Sequence, residues 1–191
     1  MTAYFNPVKI IKTKDWLYEL TKNIGLLGVT SPIVVTSPGN RERLSLDSKF
    51  DSHIIFSDIN SNPNIRDCIN VVEFCRGKLF NGVIAIGGGS AMDLAKIVMA
   101  HLSLNSSDIY ELIDFKRELQ TITPSIFLPT THGTASEVTM WGTIWDMDAK
   151  KKLSISNPGL YPSIAILDAN LTLSLPLDIS ITTVMDALSH S

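Results

Sequence analysis

A strand-like run that passes straight into three glycines and then into a helix constrains this chain most. The stretch is GVIAIGGGSAMDLAK, residues 82–96. Val83–Ile86 is continuously apolar, the pattern of a short strand buried on both faces. SAMDLAKIVMAHL then follows with helical texture, and Ser90 is the expected N-cap. A strand buried on both faces needs a covering layer on each side. The chain must therefore build a sheet sandwiched between helices.

The rest of the sequence repeats that alternation. Residues 15–23 (DWLYELTKN) carry apolar residues at helical spacing, with Gly25 as the expected stop. Ile33–Thr36 reads as a buried strand leading into a turn, and His53–Phe56 as a second short strand. A helix is expected from Ile65 to Cys75, with Gly77 near its end. SIFLP forms a strand ending at Pro129, and PSIAILD another ending at Asp168. EVTMWGTIWD and KKLSIS pair around an Asp-Ala-Lys turn, which puts Trp141, Thr143 and Trp145 on one face; packing of a hairpin is the expected role for that face. After Asp168 the texture changes to LTLSLP and then DISITTVMDALSHS, a helix with Asp178 as the expected N-cap. The fold class is α/β: a Rossmann-like, mostly parallel sheet with helices on both faces.

Composition narrows the function. Of 191 residues, 45% are apolar and 18% charged, so the chain is globular. The net charge of -3, without a Lys/Arg block, argues against nucleic acid or an anionic membrane as partner. The apolar stretch Val83–Ala100 contains three glycines, Asp93 and Lys96, so it does not span a bilayer. The start lacks the basic-then-apolar layout of a signal peptide. Cys68 and Cys75 lie about 10 Å apart along one helix, too far for a disulfide. Both are expected to be reduced core residues of a cytoplasmic protein.

Ligands of such sheets bind at the carboxyl ends of strands. Three loops stand there: SPGN, GGGS and PTTHGT. In GGGS, glycines let backbone approach a phosphate, and the N-terminus of the following helix attracts the anion. One glycine suffices for a tight turn without a ligand; three followed by Ser favour phosphate. In PTTHGTASE, hydroxyls surround Gly133. They serve equally as turn caps or as donors to phosphate and ribose. His132 reads as a turn residue. Near the end, Asp186 and His190 are four apart, one helical turn, a spacing suited to a metal ion. A catalytic zinc takes three protein ligands and a structural one four, so this pair is incomplete by itself.

Together, AIGGGSAMDLAK, PTTHGTASEVT, YPSIAILDANLTLSLP and MDALSH resemble the iron-containing (group III) alcohol dehydrogenases, and the early FNPVKI is also similar. The resemblance runs in order through the whole chain and covers about the first half of a typical member. It implies a dinucleotide-binding α/β domain over residues 1–168 and, over 169–191, the start of a helical metal-binding domain. It implies that Gly88, Gly89 and Ser90 cradle the pyrophosphate of NAD(H) or NADP(H), and that Thr130, Thr131 and Thr134 contact phosphates and the nicotinamide ribose. Asn62 matches a position near the adenine end, and Lys152 a lysine reaching the nicotinamide ribose. Asp186 and His190 match the first two ligands of Fe2+ or Zn2+, the other two being histidines further on.

Two departures from the pattern stand out. Members preferring NAD often carry Asp just after the first strand, where this chain has Ser37. Loss of that carboxylate removes repulsion against a 2′-phosphate, and Arg41 or Arg43 would pair with it, which predicts NADP(H). At least one of these arginines is expected to be a solvated surface residue. His132 stands where the family usually has a small residue. The implied activity is hydride transfer between nicotinamide and a metal-bound alcohol or aldehyde; no separate protein base is identified. Trp141, Trp145 and Asp146 look more like members that reduce phosphonoacetaldehyde. Alternatives stay open: a non-catalytic nucleotide-binding fragment, or half of a split enzyme with a complementing C-terminal half or a homodimer as partner. A glycerol or glycerol-1-phosphate dehydrogenase-like branch, or dehydroquinate synthase, is a further alternative that the SEVT loop makes less apt.

Overall fold

In a computed structural model of the chain, which describes residues 6–119 and 121–189, six strands lie in one parallel sheet. They are β1 (Lys9–Thr13), β2 (Pro32–Thr36), β3 (Ile55–Phe56), β4 (Gly82–Gly87), β5 (Ser125–Pro129) and β8 (Ile164–Asp168), in the order β1-β8-β5-β4-β2-β3. Every pairing within it is parallel. The remaining strands, β6 (Trp141–Asp146) and β7 (Lys151–Ser156), form a separate antiparallel hairpin in the expected place.

All six residues of β4 are buried, between β2 and β5. Period-two alternation sorts its side chains between two cores. Val83 and Ala85 join one with α3 (Ile65–Cys75), α4 (Gly89–Leu104) and α5 (Ile109–Asp114). Ile84 and Ile86 join the other with Leu20 of α1 (Trp16–Leu26), Leu46 and Leu171. Both faces are thus covered, as the apolar run requires.

Local chemistry sets the helix starts. Asp15 caps α1 by accepting from the Tyr18 amide. Asn64 and Asp67 form a reciprocal capping box on α3, which spans the expected residues. Four expected boundaries are corrected. Gly25 lies inside α1, which continues to Leu26; the left-handed Gly28 marks the exit. The cap of α4 is Gly88 rather than Ser90, which sits in the first turn. His53 belongs to a 3-10 turn, so only Ile55–Phe56 pairs as strand. Asp178 is inside α6 (Leu177–Ser189) rather than ahead of it. The SPGN turn is the start of a short helix, α2 (Pro38–Arg43), capped by Ser37 and opened by Pro38.

The hairpin also differs from expectation. Its buried face carries Gly142 and Ile144, while Trp141 is 55% exposed on the other. Trp145 is half-buried on that outer face, with the Lys152 ammonium 5.8 Å from its ring centroid. The tryptophans therefore do not pack the hairpin into the core. Cys68 and Cys75 are buried and unbridged, as expected. Burial pushes their thiols up to about 12 and about 11.

Candidate functional site

The sheet's connections diverge between β2 and β4: from β2 the chain moves outward to β3, then returns across to β4 and on to β5. Such a switch point leaves a crevice beyond the strand carboxyl ends. Here a cleft of about 440 Å³ opens there, and Ser37, Gly88, Ser90, Thr130 and Thr131 all line it. These five expected site residues come from three separate loops. Asn40 and Arg43 add polar groups from α2, and Leu175, Pro176 and Ile179 form an apolar wall.

Packing gives the glycines a definite role. A Cβ on Gly88 would sit 3.0 Å from Thr131 Cγ2, and one on Gly89 2.9 Å from Thr134 Cγ2. The β4–α4 turn thus closes directly on the threonine loop. Gly88 follows the strand and caps a helix of 16 residues, whose first amides lack partners in the preceding turn. A helix start of this kind, beside a cleft, suits an anionic ligand. Ser90 is also tied across the cleft floor, its hydroxyl donating to the Ser61 carbonyl.

Thr130 is buried; its amide donates to Gly87 O at 2.9 Å, and its hydroxyl accepts from Asn40 Nδ2 at 3.2 Å. It joins the end of β5 to α2. Asn40 Oδ1 in turn accepts from Arg43 at 2.7 Å. Arg43 Nη1 also donates to Leu171 O at 2.9 Å and Ser174 Oγ at 2.6 Å, holding the segment before α6 against α2. Partial burial lowers the pKa of Arg43. Arg41 points elsewhere, bonding Asp47 at 2.6 and 2.9 Å and Ser57 at 3.1 Å. Both arginines are half-buried, but Arg43 lines the cleft and Arg41 does not.

The remaining expected residues are more dispersed. Asn62 is exposed and next to Asn60 and Ser61, which line the cleft. Lys152 is exposed on β7 and pairs in register with Trp145. Asp186, on α6, lies against the threonine loop: a Cβ on Gly133 would meet its Oδ2 at 2.8 Å. His190 lies outside the described residues. His132 is exposed and lines a second cleft, of about 540 Å³, on the far side of Thr131 with Lys12, Glu137 and Asp168.

Sequence reasoning missed Asn40 and a buried polar cluster below the threonine loop. There Lys96, with no exposed surface, reaches Ser136 and Thr139, while Asp93 accepts from Ser136 Oγ at 2.9 Å. The available signal was a lysine in the otherwise apolar run LAKIVMA.

Fold and cleft define an open, doubly wound α/β domain with a phosphate-type turn at its switch point. Residues 7–169 match the model of the iron-containing alcohol dehydrogenases, and the chain belongs to that family. It is 32% identical over 179 residues to a choline dehydrogenase of Bacillus subtilis, covering 89% of this chain and 44% of that protein. With a 1-propanol dehydrogenase of Citrobacter freundii it shares 37% identity over 142 residues, covering 74% of this chain and 35% of the relative. The crystal structure of a sulfoacetaldehyde reductase from Bifidobacterium kashiwanohense, in complex with NAD+, superposes with a TM-score of 0.86 at 32% identity. That match covers 99% of this chain and 52% of the other. The chain thus spans about half the length, or less, of these relatives. Among the described residues no helix is long and apolar enough to cross a membrane.

Proposed function

We propose that this chain is the coenzyme-binding half of a metal-dependent alcohol dehydrogenase or aldehyde reductase using NADP(H) or NAD(H). The observation that carries the reading is the convergence of Ser37, Gly88, Ser90, Thr130 and Thr131 on one cleft at the switch point. The cleft suits a dinucleotide: it has a helix start for the diphosphate, hydroxyls for ribose and phosphate, and an apolar wall. Gly88, Gly89 and Ser90 hold the diphosphate, and Thr131 and Thr134 the nicotinamide side. Thr130 positions that loop, Asn62 borders the adenine end, and Lys152 approaches from the hairpin. The bound nicotinamide supplies the hydride-carrying carbon.

Ser37 favours NADP(H), because no carboxylate stands at the end of β2 to repel a 2′-phosphate. Arg43, which lines the cleft, is its partner; Arg41, engaged by Asp47, is not. Better kcat/KM with NADH in the complete enzyme rejects that preference.

The metal, Fe2+ or Zn2+, meets a different answer. Among the described residues no group of three His, Cys, Asp or Glu could hold an ion. The donors here amount to Asp186, with His190 proposed beside it, and the site needs ligands from a further helical segment or partner. When bound, the ion would act as a Lewis acid on the substrate oxygen. On this reading residues 1–168 bind coenzyme and 169–191 begin the metal-binding unit. The chain by itself binds coenzyme without turnover. The substrate class is a small alcohol or aldehyde. Similarity to a sulfoacetaldehyde reductase, with the outward Trp141 and half-buried Trp145, supports a two-carbon aldehyde carrying an anionic group, such as phosphonoacetaldehyde.

Titration of NADPH and NADH with the chain, read by nicotinamide fluorescence, tests the reading. Saturable binding that Gly88→Val abolishes is expected; no saturable binding of either overturns it. In the complete enzyme, equal turnover of propanal and phosphonoacetaldehyde removes the anionic-substrate proposal.

A further inference from the structure

We propose that Asp93 and Lys96 are positioning residues that clamp the threonine loop to the glycine turn, and so set coenzyme affinity without touching coenzyme. This rests on the coenzyme-binding reading above.

The two residues are three apart on α4, one turn below Gly88–Ser90, and so share a face. Lys96 is wholly buried. Its ammonium donates to Ser136 O at 3.0 Å, Ser136 Oγ at 2.8 Å, Thr139 Oγ1 at 3.1 Å and the Trp141 carbonyl. Asp93 Oδ1 accepts from Ser136 Oγ at 2.9 Å, and Oδ2 accepts from the Thr143 amide at 3.0 Å. Two side chains on one helical turn therefore hold the chain from residue 136 to 143. That segment runs directly on from the Thr130–Thr134 loop, and the Ser136 amide donates back to Thr134 Oγ1 at 3.4 Å. Thr134 itself rests against Gly89. Glycine turn, threonine loop and start of β6 thus have one common anchor.

The cluster is costly to bury, which argues for a task beyond packing. Charged groups taken out of water stabilise little compared with apolar residues of the same size, even when they find polar partners. An ammonium shares three protons among the four oxygens around Lys96, and a neutral amine has only two to share. Burial pulls the Lys96 pKa down to about 8, against Asp93 and Glu137, which raise it. The other groups facing the cluster are Lys152, which lowers the pKa of Asp93, and the Phe127 ring, 6.0 Å from the ammonium. Loss of that proton removes one of the donors, and the charge, that hold the loop to α4.

The test is coenzyme affinity against pH for the whole chain, with wild type, Lys96→Met, Asp93→Asn and the double variant. Wild-type Kd for NADPH and for NADH is expected to rise about tenfold from pH 7 to pH 9.5. Lys96→Met should bind as weakly as the wild type at high pH, with a flat profile. The double variant removes the Asp93 charge together with that of Lys96, so its melting temperature should recover relative to Lys96→Met while its affinity stays low and flat. This separates positioning from simple stability. In Lys96→Met, amide hydrogen exchange should rise within residues 134–143 and not within β4. A variant that binds like wild type, or keeps the wild-type pH profile, overturns the proposal. If the wild-type chain binds no coenzyme, the functional reading fails. Exchange then decides the clamp: a confined rise establishes it, and no rise overturns it.

Discussion

Helices α4 and α6 are similarly apolar in sequence, yet the molecule treats them in opposite ways. In α4, every residue from Leu94 to Ala100 is buried, lysine included. In α6 none is, and Leu177, Ile181, Val184 and Met185 are 74%, 55%, 48% and 57% exposed. Their spacing puts them on one stripe, the pattern of a helix that faces a core. The difference shows that apolar content predicts the need for cover, not its presence. Helix α4 finds a sheet; α6 is attached through edges, with Asp186 and Thr183 against Gly133 and Ile179 at the cleft wall. Stability and function should therefore separate along the chain.

The largest effect should come from the sheet. Phe127 on β5 is fully buried in the core beneath α4. Phe127→Ala should cost about 3–5 kcal/mol in denaturant unfolding, since the cavity adds to the lost transfer energy. A cost below about 1 kcal/mol would falsify the contrast at its stronger end.

The same half should also carry the alkaline sensitivity. Cys68 and Cys75 keep their protons in the fold up to about 12 and about 11, against an ordinary 9.0. Above pH 9 the unfolded thiols ionise while the buried ones do not, so the folded state binds more protons and stability falls as pH rises. Lys96 acts in the opposite sense: its folded pKa of about 8 lies below the ordinary 10.5, so it adds stability between those values. The thiols are therefore isolated by difference. At pH 10, Cys75→Ala should lose about 1 kcal/mol less than wild type loses relative to pH 7. Parallel profiles would show that Cys75 is open to solvent.

This division was only partly legible in sequence. Runs such as VIAIG and IAILD read as buried strands because they are short, rich in branched residues and bounded by turn residues, and the helical pattern from Ile65 to Cys75 made α3 readable. Strand β1 carries KIIKT on an edge, half exposed, and gave no continuous apolar signal. Helix α5 is six residues long, too short for a period to show. At the site, glycine and hydroxyl loops could be read because their chemistry is local. Asn40 and the Asp93–Lys96 cluster could not, since their partners lie 40 to 90 residues away. The tryptophans misled because alternation gives two faces without saying which one is inner.

A smaller effect should come from the seam between the halves. A Cβ on Gly133 would fall 2.5 Å from the Thr183 carbonyl, a backbone atom that cannot swing aside. Gly133→Ala should displace α6 and leave the sheet intact. Amide exchange in residues 177–189 should then rise about tenfold, with the global unfolding energy changed by about 0.5 kcal/mol or less. Coenzyme affinity should weaken a few-fold, because Ile179 leaves the cleft wall. A fall in global stability as large as that of Phe127→Ala would show that α6 belongs to the sheet's cooperative unit.

The smallest stability change should come from α6 itself. Ile181 and Met185 are one turn apart on its open stripe. Replacing both with Ser removes apolar surface already in contact with water, so the unfolding energy should move by about 0.5 kcal/mol or less. Solution behaviour should change more than stability. An uncovered apolar stripe favours association, and the double variant should lower the concentration-dependent mass seen by light scattering. A loss above about 1 kcal/mol, vanishing on dilution, has a different meaning. It would show that a second copy covers the stripe in solution, and the contrast between the helices would then belong to the single chain alone.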